Sequence, residues 1–240
     1  MNLPSISVFL IVVFTTLSSS IVAQEEEDKY GRDLDELTLK KRGPNKDYYN
    51  HLFIGYGFIV GESESDSTQI LSPKSSAFML GYLWKWRITK WYELGFDVLY
   101  HYNAFHLKQD SLKNIPTTVL HKREKLVYNN IQIAPFQRFK FKNKHHSAGI
   151  FLDLGIYAGY NYRVKHQTVE RNNTPGAGKT KTVNTQLSFT EDFNYGLLAR
   201  IGFNRVVFYG RYRWSNLFTE KSGFSELPRY EVGVRFGLHQ

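Results

Sequence analysis

Charged and histidine side chains in several segments of the chain are separated by even numbers of residues and alternate with apolar ones. Within residues 91–105, Glu93, Asp97 and His101 alternate with apolar residues such as Leu94 and Phe96. Successive side chains of a strand point to opposite faces, so the charged residues share one face if the segment is extended. The same reasoning gives a candidate polar set of ten residues: Glu93, Asp97, His101, Asp153, Arg163, Arg200, Arg211, Arg213, Glu231 and Arg235.

Two interpretations of this polar set stay open. Acids and arginines are mixed, and buried charges need partners, so the favoured interpretation is a plug of ion pairs that fills a narrow interior. The alternative is a proton or ion path, or a catalytic site, because functional sites also gather titratable groups. Neither His145 and His146 nor the pair His101 and His106 is accompanied by a carboxylate cluster, so we expect no metal and no cofactor.

The stretch 175–180, with the sequence PGAGKT, is similar to the end of a phosphate-binding loop. Asn173 occupies the position where that motif has its first glycine, and no buried strand precedes the stretch. We therefore expect a flexible extracellular loop tip there.

A lipid-modifying enzyme is the catalytic alternative. Such a site needs a nucleophile, a base and an orienting acid within hydrogen-bond reach, and His101, His106 and Ser111 lie near the outer end of one segment. Nothing in their spacing singles them out, so we predict that the chain has no catalytic residues.

The composition excludes several classes of protein. The 240 residues include no Cys, which rules out disulfides, thiol catalysis and zinc–thiolate sites. No internal run of about 18 apolar residues is present, so no transmembrane helix is expected in the mature chain. The formal net charge of +9 is attributed to solvated loops and to attraction toward anionic lipid headgroups, and an exported chain is not expected to bind nucleic acid.

The N-terminal region predicts export. Residues 8–14 (VFLIVVF) form an apolar core that is followed by small residues and by Ala23-Gln24, so residues 1–23 are predicted to be a signal peptide. Residues 24–48 begin with an acidic run and later carry a basic one, which favours a flexible periplasmic segment.

From about residue 49 the sequence alternates between apolar and polar residues, which predicts an all-β fold. We expect eight strands, at residues 51–61, 76–87, 91–105, 126–141, 148–165, 189–203, 206–218 and 230–240. The connections after the second, fourth and sixth strands are short, and the other connections are long. This rhythm predicts an eight-stranded antiparallel transmembrane β-barrel at residues 49–240, with both termini in the periplasm.

The orientation of the apolar face separates a membrane barrel from a soluble, lipocalin-like one. Bulky rings such as Trp84, Trp86 and Trp214 cannot all fill the narrow interior of an eight-stranded barrel. Tyr and Trp also gather near the strand ends, where membrane interfaces favour them. We therefore expect the apolar faces to contact lipid, and the glycines and charges to face inward.

Four segments together resemble the outer-membrane β-barrel domain family of Bacteroidota-type envelopes, the broad group that includes PorT-like proteins. They are residues 127–141 (VYNNIQIAPFQRFKF), 150–162 (IFLDLGIYAGYNY), 206–217 and the last strand. Pro135 before a short turn, followed by the glycines of the next strand, is similar to the family pattern. The resemblance covers about 49–240, and it implies an eight-stranded barrel in the outer membrane without implying a shared chemistry.

The sequence thus predicts a protein of the cell outer membrane with a filled lumen. Its expected role is structural or surface-interacting, exerted through the long extracellular loops. The expected partners are outer-membrane lipids and either envelope proteins or surface ligands, and membership of a secretion or transport assembly is a variant of this role. A narrow, porin-like pore is the third alternative, after the lipid-modifying enzyme.

Overall fold

The computed structural model describes residues 46–144, 147–171, 178–185 and 187–238. The predicted signal peptide at 1–23 and nearly all of the predicted segment 24–48 lie outside these residues. His145, His146 and Asn173 do so as well, together with residues 175–177 of the glycine-rich stretch.

Nine strands make up the described fold. They are β1 (Tyr48–Val60), β2 (Ser76–Arg87), β3 (Tyr92–His106), β4 (Arg123–Lys144), β5 (Ser147–Arg171), β6 (Lys179–Thr185), β7 (Phe193–Phe203), β8 (Val206–Arg213) and β9 (Tyr230–Leu238). Two short 3₁₀ turns, Asp66–Thr68 and Glu220–Ser222, lie in the loops that follow β1 and β8.

Eight of the strands form a closed antiparallel ring. Their order is β4-β3-β2-β1-β9-β8-β7-β5, and β4 also pairs with β5, which closes the ring. Closure leaves no free sheet edge among these eight strands, as a β-sheet in lipid requires. The eight-stranded antiparallel barrel expected from the sequence is confirmed.

The region after β5 corrects one prediction. Residues 166–188 were expected to be a loop, but β5 continues to Arg171, and β6 pairs with it antiparallel from Lys165↔Thr185 to Arg171↔Lys179. The two strands form a hairpin that projects beyond the ring, and Lys179 and Thr180 of the glycine-rich stretch belong to a strand instead of a loop tip. The Thr and Val residues of β6 favour a strand. The Lys and Asn residues among them leave no apolar face, so alternation does not mark this strand in the sequence.

The outward face of the ring is apolar. On β5, Ile150, Leu154 and Ile156 are exposed, whereas the intervening Phe151 and Asp153 are buried. The large exposed rings concentrate near the two ends of the strands: Tyr48, Trp86, Trp91 and Phe203 near the short turns, and Tyr56, Tyr160, Tyr162, Tyr195, Trp214 and Tyr230 near the long loops. An apolar band between two aromatic girdles is the exterior of a membrane barrel.

A β-bulge interrupts the pairing of β4 with β5. Asn129 pairs with Arg163 and the next residue, Asn130, pairs with Asn161, so Tyr162 is an extra residue on β5. An extra residue reverses which later side chains face inward. Beyond the bulge, Val164 is accordingly buried.

Glycine is required where β4 and β5 approach each other closely. A Cβ atom added at Gly155 would lie 2.4 Å from the carbonyl oxygen of Pro135 and 2.9 Å from Cβ of Phe136. Both distances are below van der Waals contact, so the close approach of the strands depends on the missing side chain.

In the part of the chain that the structure describes, no helix is long and apolar enough to cross a membrane.

Candidate functional site

The lowest layer of the barrel interior, near the short turns, surrounds Glu93. Its Oε2 atom lies 2.7 Å from Nζ of Lys85, and its Oε1 atom lies 2.6 Å from Nζ of Lys140. Nε of Arg87 is 3.7 Å from Oε1. Strands β2, β3 and β4 thus hold one buried carboxylate among several cations, as burial of a charge requires.

The middle layer joins two aspartates to three arginines. Arg235 donates to Oδ2 of Asp97 at 2.7 Å, and Arg200 donates to the same oxygen. Arg138 holds Asp153 with two hydrogen bonds, Nε to Oδ1 at 2.7 Å and Nη2 to Oδ2 at 2.9 Å. Nε of Arg200 lies 3.2 Å from Oδ2 of Asp153 and therefore links the two carboxylates. The two-pronged geometry of Arg138 is the stronger kind of charge pair.

The three guanidinium groups of this layer also lie over aromatic rings. The pairs are Arg235 over Phe53, Arg138 over Phe151 and Arg200 over Phe136, with distances from Cζ to the ring centroid of 3.4, 3.7 and 4.4 Å. The weakly hydrated, planar guanidinium group tolerates such desolvated stacking better than an ammonium group does. These phenylalanine side chains fill the space between the charged groups.

The upper layer is centred on His101. Its Nε2 atom lies 3.2 Å from Oε1 of Glu231, which also accepts a hydrogen bond from the Tyr209 hydroxyl at 2.9 Å. Nη1 of Arg211 is 3.2 Å from the same ring nitrogen, and Arg211 donates to Oε1 of Gln132. All five side chains are buried.

Two ion pairs close the loops over the mouth of the ring. Arg213 donates to Oε2 of Glu226 at 2.8 Å, and Oε1 of Glu226 accepts from the backbone N–H groups of Leu217 and Phe218 at 2.9 and 3.1 Å. The loop at 214–229 therefore folds back onto the end of β8.

The second mouth ion pair involves Glu124, at the start of β4. It accepts from His166 at 2.7 Å and from Gln109 at 2.9 Å, and Lys113 is an ion-pair partner. Neighbouring outward positions, such as Lys125, are polar, so this part of β4 lies beyond the apolar band. Burial alone would raise the pKa of Glu124, but the hydrogen bonds from His166, Lys113 and Gln109 outweigh it and lower the pKa from 4.5.

A hydrophobic cluster, which we call the mouth cap, lies among these ion pairs. Its buried members come from strand ends and from the loops: Ile59, Phe105, Leu107, Ile115, Leu126, Tyr128, Val164, Leu217, Phe218 and Leu227. Three pockets bordered by the charged layers have space for about one or two water molecules each. The described interior is therefore packed from the short turns to the mouth.

The structure buries nine of the ten predicted polar residues: Glu93, Asp97, His101, Asp153, Arg200, Arg211, Arg213, Glu231 and Arg235. The tenth, Arg163, is a correction, because its side chain is exposed on the outer wall. The bulge at Tyr162 precedes it and reverses the alternation on which the prediction relied.

Sequence reasoning missed several members of the charged layers, including Lys85, Arg138, Lys140 and Gln132. Lys85 was visible on the inner face of its segment, between outward tryptophans. The other three could have been found by counting back from the apolar residues at the end of β4, because every second residue from Phe141 is outward.

The parts of the alternative catalytic site are not brought together. His101 is buried among Glu231, Arg211 and Gln132, none of which is a hydroxyl nucleophile. Ser111 is exposed in the loop after β3, and His106 is only half-buried. Within the described residues, no group of three or more His, Cys, Asp or Glu side chains is arranged to hold a metal ion.

An apolar exterior around an ion-paired interior is stable only if the medium around the barrel is lipid. Lipid surrounds the ring, because a soluble barrel of this width would carry its apolar side chains inside. The ring is an outer-membrane β-barrel. Its girdles, its short turns at one end and its long loops at the other agree with that location.

Comparisons with known proteins add a distant similarity of fold. No family model and no curated protein sequence matches the chain. Among solved structures, the chain is similar to the crystal structure of Ail, the attachment invasion locus protein of Yersinia pestis, in complex with the heparin analogue sucrose octasulfate. That alignment has 12% identity and a TM-score of 0.38, and it covers 81% of this chain and 100% of the other. A likeness at this level carries no inference about function.

Proposed function

We propose that this protein is a non-conducting barrel whose extracellular loops bind a partner at the cell surface. The observation that carries the proposal lies in the loop between β3 and β4. Leu112, Val119 and Leu120 are 61%, 57% and 56% exposed there, well away from the apolar band that faces lipid. Exposed apolar side chains outside the membrane favour a contact with another molecule.

The loop that carries these residues is held in place. Ile115 is fully buried in the mouth cap, and Nζ of Lys113 donates to the carbonyl oxygen of Val119 at 2.7 Å. A loop with a fixed backbone loses little conformational entropy on binding, so it suits a recognition surface. An envelope protein is the partner class we favour, which would place the chain in a secretion or transport assembly.

The packed lumen supports a role without conduction. The charged layers use most of their hydrogen-bonding groups on one another, and the pockets between them have space for only a few water molecules. Purified chain in a planar lipid bilayer is expected to give no stable current steps. Large and stable steps would support the narrow-pore alternative instead.

Site-specific photo-crosslinking in intact cells tests the loop surface. A photoreactive residue at Val119 is expected to capture one dominant envelope protein. The same residue at Lys221, which is exposed in a different loop, serves as the matched control. Adding Leu120→Ser should abolish the Val119 adduct while the barrel still migrates anomalously on an unheated gel. Equal, diffuse adducts at both positions would refute the proposal.

A lipid-modifying enzyme stays the alternative from another class. The burial of His101 among charge partners supports a non-enzymatic role, because a base needs access to its substrate. His101→Ala and His106→Ala are expected to leave the acylation of lipid A unchanged in mass spectra of extracted lipid. A loss of one acyl-chain modification in either variant would favour the enzyme.

A further inference from the structure

Six basic side chains share the outward face of β4, β5 and β6, in rows that begin just beyond the aromatic girdle. We call them the outer basic face: Arg123, Lys125, Arg163, Lys165, Lys179 and Lys181. They lie on β4, β5 and β6, on the part of the sheet that rises beyond the lipid-facing band. None of the six belongs to the three charged layers of the barrel interior or to the mouth cap.

The pairing of the strands places these residues on one face. Paired residues of neighbouring strands project to the same side of a sheet. Lys165 pairs with Val127, two residues from Lys125, and Arg123 pairs with Val169, which also pairs with Lys181. The basic residues therefore form adjacent rows on the surface that faces away from the barrel axis.

The bulge at Tyr162 is what brings the lower row to the surface. Tyr162 and Arg163 are consecutive residues and both are exposed, which regular alternation does not allow. Two residues of a strand tilted by about 40° rise about 5 Å along the membrane normal. Arg163 and Lys165 thus lie about 5 to 10 Å above Tyr160, at the depth of lipid headgroups.

The outer basic face contains no compensating acid. Its paired positions include neither Asp nor Glu, and in the described residues none of the six side chains forms an ion pair. The nearest acids on these strands face elsewhere: Glu124 is buried beneath the mouth cap, and Glu170 lies 3.0 Å from His121. A formal charge of six cations on one wall creates a strong local attraction for anions.

We propose that the outer basic face binds the phosphorylated headgroup of an outer-leaflet lipid, with Arg163 and Lys165 as the main contacts. A lipid fits better than a soluble anion because the basic rows adjoin exposed Tyr160 and Tyr162, which a lipid's acyl chains and headgroup would cover together. The planar guanidinium of Arg163 suits a phosphate. This binding site is separate from the loop surface of the proposed function, and the two can fail independently.

The test measures binding of one lipid to the purified full chain in neutral detergent micelles. The probe is bisphosphorylated lipid A, and the comparison is the same lipid with both phosphates removed. We expect tight binding of the first and much weaker binding of the second, by native mass spectrometry and by thermophoresis. The dissociation constant for the bisphosphorylated form should also rise steeply with salt.

Charge-removing variants locate the site. The double variant R163Q/K165Q is expected to weaken binding about 30-fold, because each basic residue near an anionic surface contributes about a factor of five. The control R205Q/K221Q removes the same charge from a periplasmic turn and a distant loop, and should change binding by less than about twofold. A second double variant, K125Q/K181Q, removes two positive charges of the outer basic face that lie farther from the aromatic girdle. Heat-modifiable gel migration shows that each protein is folded.

Three results would overturn the proposal. Equal weakening in R163Q/K165Q and R205Q/K221Q would mean a general effect of net charge. Equal binding of the dephosphorylated lipid would mean that the acyl chains alone are recognised. Displacement of lipid A by heparin at equal phosphate or sulfate concentration would mean a site for soluble polyanions.

Discussion

Replacement of Asp97 by Asn removes the charge on which the middle layer of the lumen depends. Asp97 is 1% exposed and accepts from both Arg200 and Arg235. The two arginines differ in what remains to them. Arg200 keeps Asp153, whose Oδ2 lies 3.2 Å from its Nε, whereas Asp97 is the carboxylate that pairs with Arg235 in the described lumen.

The expected magnitude follows from leaving a buried guanidinium without its carboxylate. Breaking a buried ion pair by removing one partner costs about 3 to 5 kcal/mol, most of it from the uncompensated charge. Asn keeps the size of Asp, so cavity formation contributes little. Removing the stranded cation should then restore stability. The double variant D97N/R235Q is expected to lose about 1 to 3 kcal/mol less than the sum of its single variants.

The assay is reversible urea unfolding in lipid vesicles, followed by fluorescence of the four tryptophans. The double variant D97N/R200Q is the sharp control, because it removes the arginine that still has a carboxylate and leaves Arg235 stranded. D110N, in a loop, is the surface control and should change stability by less than about 1 kcal/mol. If D97N is no more destabilised than D110N, or if R200Q rescues it as well as R235Q does, the pairing described here is not what stabilises the lumen.

Three further predictions concern the mouth, the wall and the exterior. Because the pKa of Glu124 is lowered in the folded protein, its stabilising contribution is full above its ordinary pKa of 4.5 and is lost as pH falls through the folded value. The protection of the loop after β3 against hydrogen exchange, corrected for intrinsic rates, should therefore be lower at pH 3 than at pH 6. Gly155→Ala places a Cβ against the Pro135 carbonyl oxygen and should cost at least about 2 kcal/mol in urea unfolding. Leu154→Arg should cost about 2 to 4 kcal/mol in vesicles, whereas Val119→Arg in the exposed loop should cost less than about 0.5 kcal/mol.

Each of these three predictions has an outcome that contradicts it. Loop exchange that is unchanged at pH 3, after correction for intrinsic rates, would mean that the Glu124 cluster does not hold the mouth cap. Wild-type stability of Gly155→Ala would mean that β4 and β5 separate freely. A penalty for Leu154→Arg no larger than that for Val119→Arg would mean that lipid does not contact Leu154.

The eight-stranded ring could be predicted from the sequence because the alternation that identifies its strands involves only neighbouring residues. Every residue of a membrane strand faces either hydrocarbon or the packed lumen, so alternation along β1, β2, β3 and β9 identifies strand, face and environment together. The residues Leu52 and Ile54 are exposed and their neighbour Phe53 is fully buried, as that rule requires. The rule also placed Asp97 and Arg235 on the inner face, but it could not say that they touch, since they belong to strands far apart in the sequence.

The mouth cap could not be predicted in this way. Leu107, Ile115 and Leu217 lie in segments without periodicity, and they meet only because closure of the ring brings the loops after β3 and β8 to the same end of the barrel. The β5–β6 hairpin escaped prediction for a related reason. Its strand β6 is exposed on both faces, so nothing selects an apolar alternation in that sequence.

The bulge at Tyr162 explains both why the prediction of Arg163 as a lumen residue is wrong and how the outer basic face forms. Uninterrupted alternation would turn Arg163 and Lys165 inward and would turn Val164 out of the mouth cap. The described lumen already has more cations than carboxylates: Lys85, Arg138, Lys140, Arg200, Arg211 and Arg235 against Glu93, Asp97, Asp153 and Glu231. Two further buried cations without acids would each carry a desolvation cost of several kcal/mol. One inserted residue avoids this cost and moves the same charges to the headgroup level, where anions are available.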